Sequence, residues 1–262
     1  MAAAEHGRVV RASVCQLRTT PGALEEDWQG LCLHVEAQRS DLVVLPEMCF
    51  APWFAGTRPN GTGPWDTAVD AHERWLPRVG ELAAAVVGSR PVNRAAGRRN
   101  VAFAADTAGP IRDLHDKSYL PDEPGFWEAS WYGPGDGGHA VTTVAGLRAG
   151  VLVCTELWFL EHARRLGRDG AHVVATPRST PTATADKWLA GGQACAVVSG
   201  AWSLSSNSAQ PEHGGLGWAI NPEGDIVATT TRDTPWVTVD RHRRGSRSKK
   251  SISPLHPRTD EI

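Results

Sequence analysis

Residues 150–161 read Gly-Val-Leu-Val-Cys-Thr-Glu-Leu-Trp-Phe-Leu-Glu, and this stretch decides the fold. The apolar run at 150–153 is typical of a buried strand, and the residues from Thr155 onward are typical of the start of a helix. Cys154 lies at the junction, where backbone N–H groups point outward and the helix dipole favours an anion. The thiol is therefore either a nucleophile or a small packed hydrophobe, and residues elsewhere in the chain must distinguish the two.

Strands and helices alternate on both sides of this stretch. The pattern predicts strands at 9–17, 42–45, 101–106, 149–153, 171–176, 201–206, 216–220 and 225–230, and helices at 23–38, 71–87, 158–166 and 185–198. Alternating strands and helices indicate an α/β domain. Because the strands lack a regular alternation of apolar and polar residues, helices are expected to cover at least one face of the sheet.

The composition fits a single large domain. The chain has 262 residues, of which 41% are hydrophobic and 21% charged. We expect one domain over residues 1–262, with a core at 8–240 and a tail at 241–262 that makes oligomer contacts. The net charge of -2 predicts no attraction to nucleic acid, and no apolar run approaches the roughly 20 residues of a membrane span.

The five cysteines predict reduced thiols. They lie at positions 15, 32, 49, 154 and 195, an odd number without metal-like spacing, which fits the cytoplasm better than a disulfide framework. Residues 1–11 lack the apolar segment of a signal peptide, so a cytoplasmic location is expected. The histidines at 139, 162 and 172 have no ligand-like spacing and are given no role; no metal is expected.

Two further polar residues lie where a site could form. Glu47 follows the predicted strand 42–45 among apolar residues, which suits a general base, although such a residue is often a solvated loop carboxylate. Lys117 precedes a loop rich in aromatic residues, Pro and Gly, which is too apolar to be disordered. Strand ends gather at one edge of an α/β sheet. Glu47, Lys117 and Cys154 would there supply a base, a cation for an oxyanion and a thiol nucleophile.

These residues resemble the nitrilase superfamily of carbon–nitrogen hydrolases. The resemblance covers most of the chain and rests on four blocks, at 41–47, 117–121, 150–161 and 214–224. Within the superfamily, the loop at 117–136 is most similar to the N-carbamoylputrescine amidohydrolase type. The resemblance implies an α/β fold of four layers, an α-β-β-α sandwich, and a homodimer or larger homo-oligomer.

The resemblance also implies a reaction and its residues. A triad of Glu47, Lys117 and Cys154 would hydrolyse a small amide or N-carbamoyl compound through a thioester, releasing ammonia without any cofactor. A second glutamate that orients the lysine and the substrate maps onto Glu128 rather than Glu123. A nitrile substrate is the alternative within the family.

Several residues are expected at the substrate. They are Trp53, Trp127, Thr155, Glu156 and Arg178. Thr155-Glu156 stands where amidases of this type carry an aromatic residue and Asp, so the resemblance to amidases does not extend to these two positions. Arg178 either clamps a substrate carboxylate or pairs with a neighbouring acid. The loop tryptophans either line a pocket or belong to the core or a subunit contact.

Two hypotheses from other functional classes stay open. A Cys-His hydrolase of the protease kind would need a dedicated histidine, for which His172 and His213 are candidates without a surrounding motif. A catalytically inert family member would act as a binding or scaffold protein. Keeping Glu47, Lys117, Cys154 and Glu128 together argues against that second reading.

Overall fold

The computed structural model describes residues 9–107, 109–210 and 214–241. In this part of the chain, the strands are β1 (Val10–Leu17), β2 (Leu42–Val44), β3 (Ala85–Arg94), β4 (Gly97–Ala105), β5 (Arg112–Asp116), β6 (Thr142–Val144), β7 (Leu147–Val151), β8 (Val173–Arg178), β9 (Trp202–Ser208), β10 (Trp218–Ile220), β11 (Ile226–Thr229) and β12 (Trp236–Arg241).

The helices are α1 (Pro21–Gln38), α2 (Gly63–Trp75), α3 (Glu128–Trp131), α4 (Leu160–Arg168) and α5 (Ala185–Ser199). Short 3-10 helices occupy Leu76–Leu82, Cys154–Trp158 and Thr182–Thr184. Across the described segments, no helix combines the length and the apolar character that crossing a bilayer requires.

The strands form two half-sheets that meet at β1. The path runs β5-β4-β3-β2-β1-β9-β8-β7-β6, with β12 beside β1 and with β10 and β11 beyond β9. The first part of β1 pairs with β2 and β12, while Gln16 and Leu17 at its end pair with β9. One strand therefore passes from one half-sheet into the other and holds the two together.

Alternate residues of β2 face different layers, which shows how the half-sheets stack. Leu42 and Val44 belong to a core that also contains β8 and the inward residues of α4 and α5. Val43 and Leu45 belong to a second core, which α1 fills from the outer side of the first half-sheet. The order is therefore helices, half-sheet, half-sheet, helices, and the predicted α-β-β-α sandwich is confirmed.

The helix predicted at 71–87 is wrong in its second half. Helix α2 ends at Trp75, a 3-10 helix containing Pro77 follows, and Ala83 takes a left-handed conformation with φ of 50° that ends the helical segment. Residues from Ala85 onward then form β3, which pairs with β2 and β4. Apolar residues in a buried strand satisfy helical spacing as well, so periodicity alone could not separate the two. The expected contact tail after residue 241 lies outside the described residues.

Candidate active site

The site lies where parallel strands end. Strands β7, β8, β9, β1, β2 and β3 run parallel, and β5 shares their direction because it lies two antiparallel steps from β3. The carboxyl ends of these strands therefore meet at one edge. Glu47 follows β2, Lys117 follows β5, Cys154 follows β7 and Arg178 ends β8.

Lys117 lies between two buried carboxylates. Its Nζ is 2.8 Å from Oε1 of Glu47 and 2.6 Å from Oε2 of Glu128. All three side chains are at most 1% exposed. The structure thus brings Glu128 to the lysine, as expected from sequence, and leaves the alternative Glu123 on the exposed side of the loop.

Asn100 and Tyr132 complete this cluster, and sequence reasoning missed both. The side-chain Nδ2 of Asn100 donates to Oε1 of Glu47 at 2.8 Å. The backbone carbonyl of Asn100 accepts the backbone N–H of Lys117, also at 2.8 Å. The Tyr132 hydroxyl donates to Oε2 of Glu128. The available signals were weak: Asn100 is a polar residue opening the apolar run of β4, and Tyr132 stands four residues after Glu128.

Burial and neighbouring charges keep Lys117 protonated and raise the pKa of Glu128. Burial opposes the charge of Lys117, but Glu128, Glu47 and Cys154 together raise its pKa above the ordinary value, so it remains an ammonium. Burial raises the pKa of Glu128 to about 7, against the lowering effect of Lys117. Lys117 can therefore act as a fixed cation but not as a base.

The second oxygen of Glu47 is uncommitted. Oε2 is buried and has no hydrogen-bond partner among the described residues, whereas Oε1 accepts from both Lys117 and Asn100. A buried acceptor without a donor is costly unless the site uses it. This atom is the part of the carboxylate that can receive a proton.

Cys154 follows β7 by three residues and has a strained backbone conformation. Its φ is 49°, a left-handed conformation uncommon for a residue with a side chain, and it is only 3% exposed. Burial raises the pKa of the thiol well above its ordinary value, and the charge of Glu47 raises it further while Lys117 opposes both. The backbone N–H of Ser179 donates to the sulfur, a contact that sequence reasoning did not anticipate.

Aromatic residues from two loops pack beside the carboxylates. Trp53 and Trp127 are half-buried members of one cluster, and the N–H of Trp127 donates to the Ala55 carbonyl at 2.7 Å. The guanidinium of Arg58 stacks 3.9 Å from the Trp127 ring. The two tryptophans expected at the substrate thus lie in the loops that carry Glu47 and Glu128.

Thr155 and Glu156 fold back onto the segment that carries Lys117. The Thr155 hydroxyl donates to the Tyr119 carbonyl at 2.6 Å. Glu156 is fully buried, and both of its oxygens are bound by protein groups: Oε1 by Ser118 N–H and Oε2 by Val153 N–H. Both side chains were expected at the substrate from sequence; the structure shows Glu156 bound to protein groups in the interior and Thr155 half-buried.

Arg178 is a buried cation beside the site without an acidic partner in the described part of the chain. Its guanidinium donates to the hydroxyls of Ser205 and Thr180, both at 2.7 Å, and to the carbonyl of Leu216 at 2.5 Å. It also stacks 4.0 Å from the ring of Trp218. Burial lowers its pKa to about 9, and the charges of Cys154 and Glu47 act against this lowering.

Of the two histidines considered for a Cys-His pair, the one that the structure describes lies away from Cys154. His172 precedes β8, and its N–H donates to the Arg148 carbonyl, so it lies at the opposite edge of the sheet from Cys154. His213 lies outside the described residues. One group of donors, His115, His139 and Glu156, has its ligand atoms within 4.8 Å of one another and could in principle hold a metal ion.

Comparisons with known proteins show the family of the chain. The profile of the carbon–nitrogen hydrolase family matches residues 11–248. An N-carbamoylputrescine amidase of Solanum tuberosum is 29% identical over 142 residues, which cover 47% of this chain and 47% of that one. A Staphylococcus lugdunensis protein described as a hydrolase in the agr operon is 28% identical over 54% of this chain and 62% of its own length. These matches span between about half and two thirds of the curated relatives.

Solved structures share the fold over most of the chain. A carbon–nitrogen hydrolase from Helicobacter pylori G27 superposes with a TM-score of 0.77 at 20% identity, covering 89% of each chain. An amidase from Nesterenkonia sp. superposes with a TM-score of 0.74 at 20% identity, covering 91% of this chain and 92% of that one. At this identity the likeness establishes the fold alone.

Proposed function

Since the chain belongs to the carbon–nitrogen hydrolase family, we propose that it hydrolyses a small amide or N-carbamoyl compound through a thioester on Cys154, releasing ammonia. One observation carries the proposal: a buried lysine held by two buried glutamates at the sheet edge where Cys154 follows its own strand. Such a group of residues has no structural advantage over apolar packing, because burying charges costs free energy.

The first half of the reaction forms the thioester. Oε2 of Glu47 takes the proton of Cys154, and the sulfur attacks the carbonyl carbon of the substrate. The oxyanion forms against the ammonium of Lys117 and the N–H of Thr155. When the tetrahedral intermediate collapses, the C–N bond breaks and the nitrogen leaves as ammonia with the proton from Glu47.

The second half releases the acid. Glu47, again ionised, takes a proton from water, and the hydroxide attacks the thioester carbon. Collapse breaks the C–S bond, and the proton on Glu47 returns to the sulfur of Cys154. Lys117 keeps its charge throughout because its pKa is raised by Glu128, Glu47 and Cys154 despite the opposing effect of burial. No metal ion or organic cofactor takes part in these steps.

A substrate panel tests the proposal. We expect ammonia release from at least one primary amide, with the free acid as the second product, or from at least one N-carbamoyl amine, with the amine and CO₂ from the resulting carbamic acid. Acid formation from nitriles alone would favour the nitrilase alternative. Absence of turnover on every compound, together with a Cys154 that reacts no faster than the other cysteines, would favour the inert binding or scaffold protein. Homo-oligomer formation and a cytoplasmic location remain proposals.

The tail of the substrate should carry no positive charge near Arg178. A buried guanidinium without an acidic partner among the described residues attracts anions and repels cations. Curated relatives act, by name, on N-carbamoylputrescine, whose free end is an amine. We therefore propose that this chain prefers N-carbamoyl compounds with a carboxylate tail over those with an ammonium tail.

Replacing Arg178 shows whether its guanidinium binds the substrate carboxylate or has a structural role only. In Arg178→Gln we expect KM for a carboxylate-bearing N-carbamoyl substrate to rise about tenfold or more, since a charged hydrogen-bonded pair is lost. KM for the matched neutral-tailed compound should change less than about twofold. Steady-state kinetics on the two compounds give the comparison, and Arg178→Lys keeps the charge as a control. Equal losses on both compounds would contradict a role of Arg178 in binding the substrate carboxylate.

The hydroxyl of Tyr132 should shape the acid side of the pH profile. Burial raises the pKa of Glu128 to about 7, and the hydrogen bond from Tyr132 acts against this rise, so Tyr132→Phe moves this pKa higher. Glu128 then stays protonated to a higher pH, and in that form it holds Lys117 less firmly. We expect the variant to lose about fivefold more turnover at pH 6 than at pH 8. A loss that is the same at both pH values would rule out this role.

A further inference from the structure

We propose that Glu156, held by His115 and His139, is a positioning residue that locks the Cys154 segment against the Lys117 segment, and that the protonation of His139 sets the pH above which the lock loosens. We use the name clamp for the three residues Glu156, His115 and His139. The proposal rests on the proposed roles of Cys154 and Lys117, but it concerns how the protein holds them rather than what they do to the substrate.

The clamp joins the two segments through one carboxylate. Oε2 of Glu156 accepts from the Val153 N–H at 2.7 Å and from Nε2 of His115 at 2.8 Å. Oε1 accepts from the Ser118 N–H at 2.8 Å and faces Nε2 of His139 at 3.1 Å. Val153 directly precedes the nucleophile and Ser118 directly follows the lysine. A single buried side chain thus ties the neighbours of both groups.

Further contacts hold the Cys154 segment against the Lys117 segment. The Thr155 hydroxyl donates to the Tyr119 carbonyl, and the ring of Tyr119 stacks on Phe159 with 3.5 Å between ring centroids. The Tyr119 hydroxyl also lies 2.7 Å from Nε2 of His162. Residues on both sides of Cys154 are therefore docked on the residues that follow Lys117, and none of these contacts involves the substrate.

The clamp is built as a hydrogen-bonded group rather than a metal site. Oε2 of Glu156 already accepts two hydrogen bonds and Oε1 accepts one, so a metal ion would have to displace these donors. Nδ1 of His139 lies 3.0 Å from the Gly137 carbonyl, which requires a proton on that nitrogen. Nε2 of His139 lies 3.1 Å from Oε1 without hydrogen-bond geometry, so His139 and Glu156 form an ion pair when both ring nitrogens are protonated.

The charges around His139 give the direction of the pH response. It faces Glu156, the ring of His115 at 4.5 Å and the ring of His162 at 4.3 Å, with Arg165 on α4 acting at longer range. Burial and Arg165 lower the pKa of His139, but Glu156 and the Gly137 carbonyl raise it above its ordinary value overall. Burial would also raise the pKa of Glu156, yet the two histidines hold it well below its ordinary value.

Because the pKa of His139 is raised in the folded state, the clamp is complete below the ordinary pKa of histidine and is lost as pH rises through the raised pKa. Above it, the lone pair of Nε2 faces the carboxylate of Glu156. The lowered pKa of Glu156 keeps that carboxylate ionised far into the acid range. Loosening on the alkaline side would shift the sulfur relative to the lysine, and misplacement of about 1 Å can cost a large factor in rate.

The rate of alkylation of Cys154 by iodoacetamide tests the clamp without relying on turnover. Mass spectrometry of the Cys154 peptide gives the rate at each pH. We expect His139→Gln to react about tenfold more slowly than the unmodified protein at pH 6, where His139 is charged. The ratio of the two rates should fall toward one as pH rises through the pKa of His139, because the unmodified protein then loses the charge that the variant lacks at every pH.

Controls separate the clamp from general destabilisation. Glu161→Gln makes the same chemical change as Glu156→Gln on the exposed side of α4 and should match the unmodified protein at every pH. Glu156→Gln should react slowly at all pH values; if it does not fold, His139→Gln carries the test. A rate ratio for His139→Gln that stays constant across pH would mean a merely structural histidine and would overturn the proposal. So would a rise in melting temperature with stoichiometric Zn²⁺ that is absent in His139→Gln.

Discussion

Replacing Cys154 by alanine should abolish turnover, by about 10⁴-fold or more, while the protein stays folded. The substitution removes the sulfur that forms the thioester, and no other thiol shares its place at the strand edge in the described residues. Alanine is smaller and meets the same left-handed backbone, so the turn at φ of 49° need not change. Ammonia release measures the activity, and circular dichroism with a melting curve reports the fold.

The remaining cysteines provide the control. Cys15, Cys49 and Cys195 are buried, and burial raises the pKa of each thiol; for Cys15 and Cys195 it reaches about 12. Cys32 is half-buried on α1, far along the chain from the site, and Cys32→Ala should keep full activity. Iodoacetamide should label Cys154 in the folded protein well before the others, although burial raises the pKa of its thiol as well, because Glu47 can take its proton. Full activity in Cys154→Ala would show that the proposed mechanism is wrong.

Replacing Lys117 by methionine should remove both activity and stability. Turnover should fall about 10³-fold, because the oxyanion loses its cation. The variant also leaves Glu47 and Glu128 as neighbouring buried carboxylates without a counter-ion, which costs about 3–5 kcal/mol in the free energy of unfolding. Loss of the ammonium raises the pKa of Glu128 further above about 7, so Glu128 becomes protonated more readily. The stability loss should therefore be larger at pH 8 than at pH 5.

A second substitution isolates the electrostatic cause. Adding Glu128→Gln to Lys117→Met removes one unpaired carboxylate, so urea unfolding should show part of the lost stability restored while turnover stays absent. Lys187→Met, at an exposed position on α5, is the matched control and should change neither property. If the single and double variants were equally unstable, the loss would arise from packing and not from unpaired charge.

The sequence predicted the chemical types of the site because each is a local signal. A strand that stops at Pro46 before Glu47 and an apolar run that ends at Cys154 can be recognised without knowing the fold. The same reasoning failed at 85–87, where a buried strand has the spacing of a helix. It also missed Asn100, because a polar residue in a strand has no distinctive pattern around it.

What the sequence alone determined is the α/β class and the strand-end candidates Glu47, Lys117 and Cys154, and the family resemblance added the sandwich fold and Glu128. Only the tertiary structure decided that Lys117 lies between Glu47 and Glu128, 70 and 11 residues away in sequence, because strand register sets which ends meet. It also decided the direction of Glu156. The residue beside the nucleophile that seemed, from sequence, to mark the substrate instead points to His115 and His139 and ties down the lysine segment, since a buried carboxylate must find donors wherever the fold supplies them.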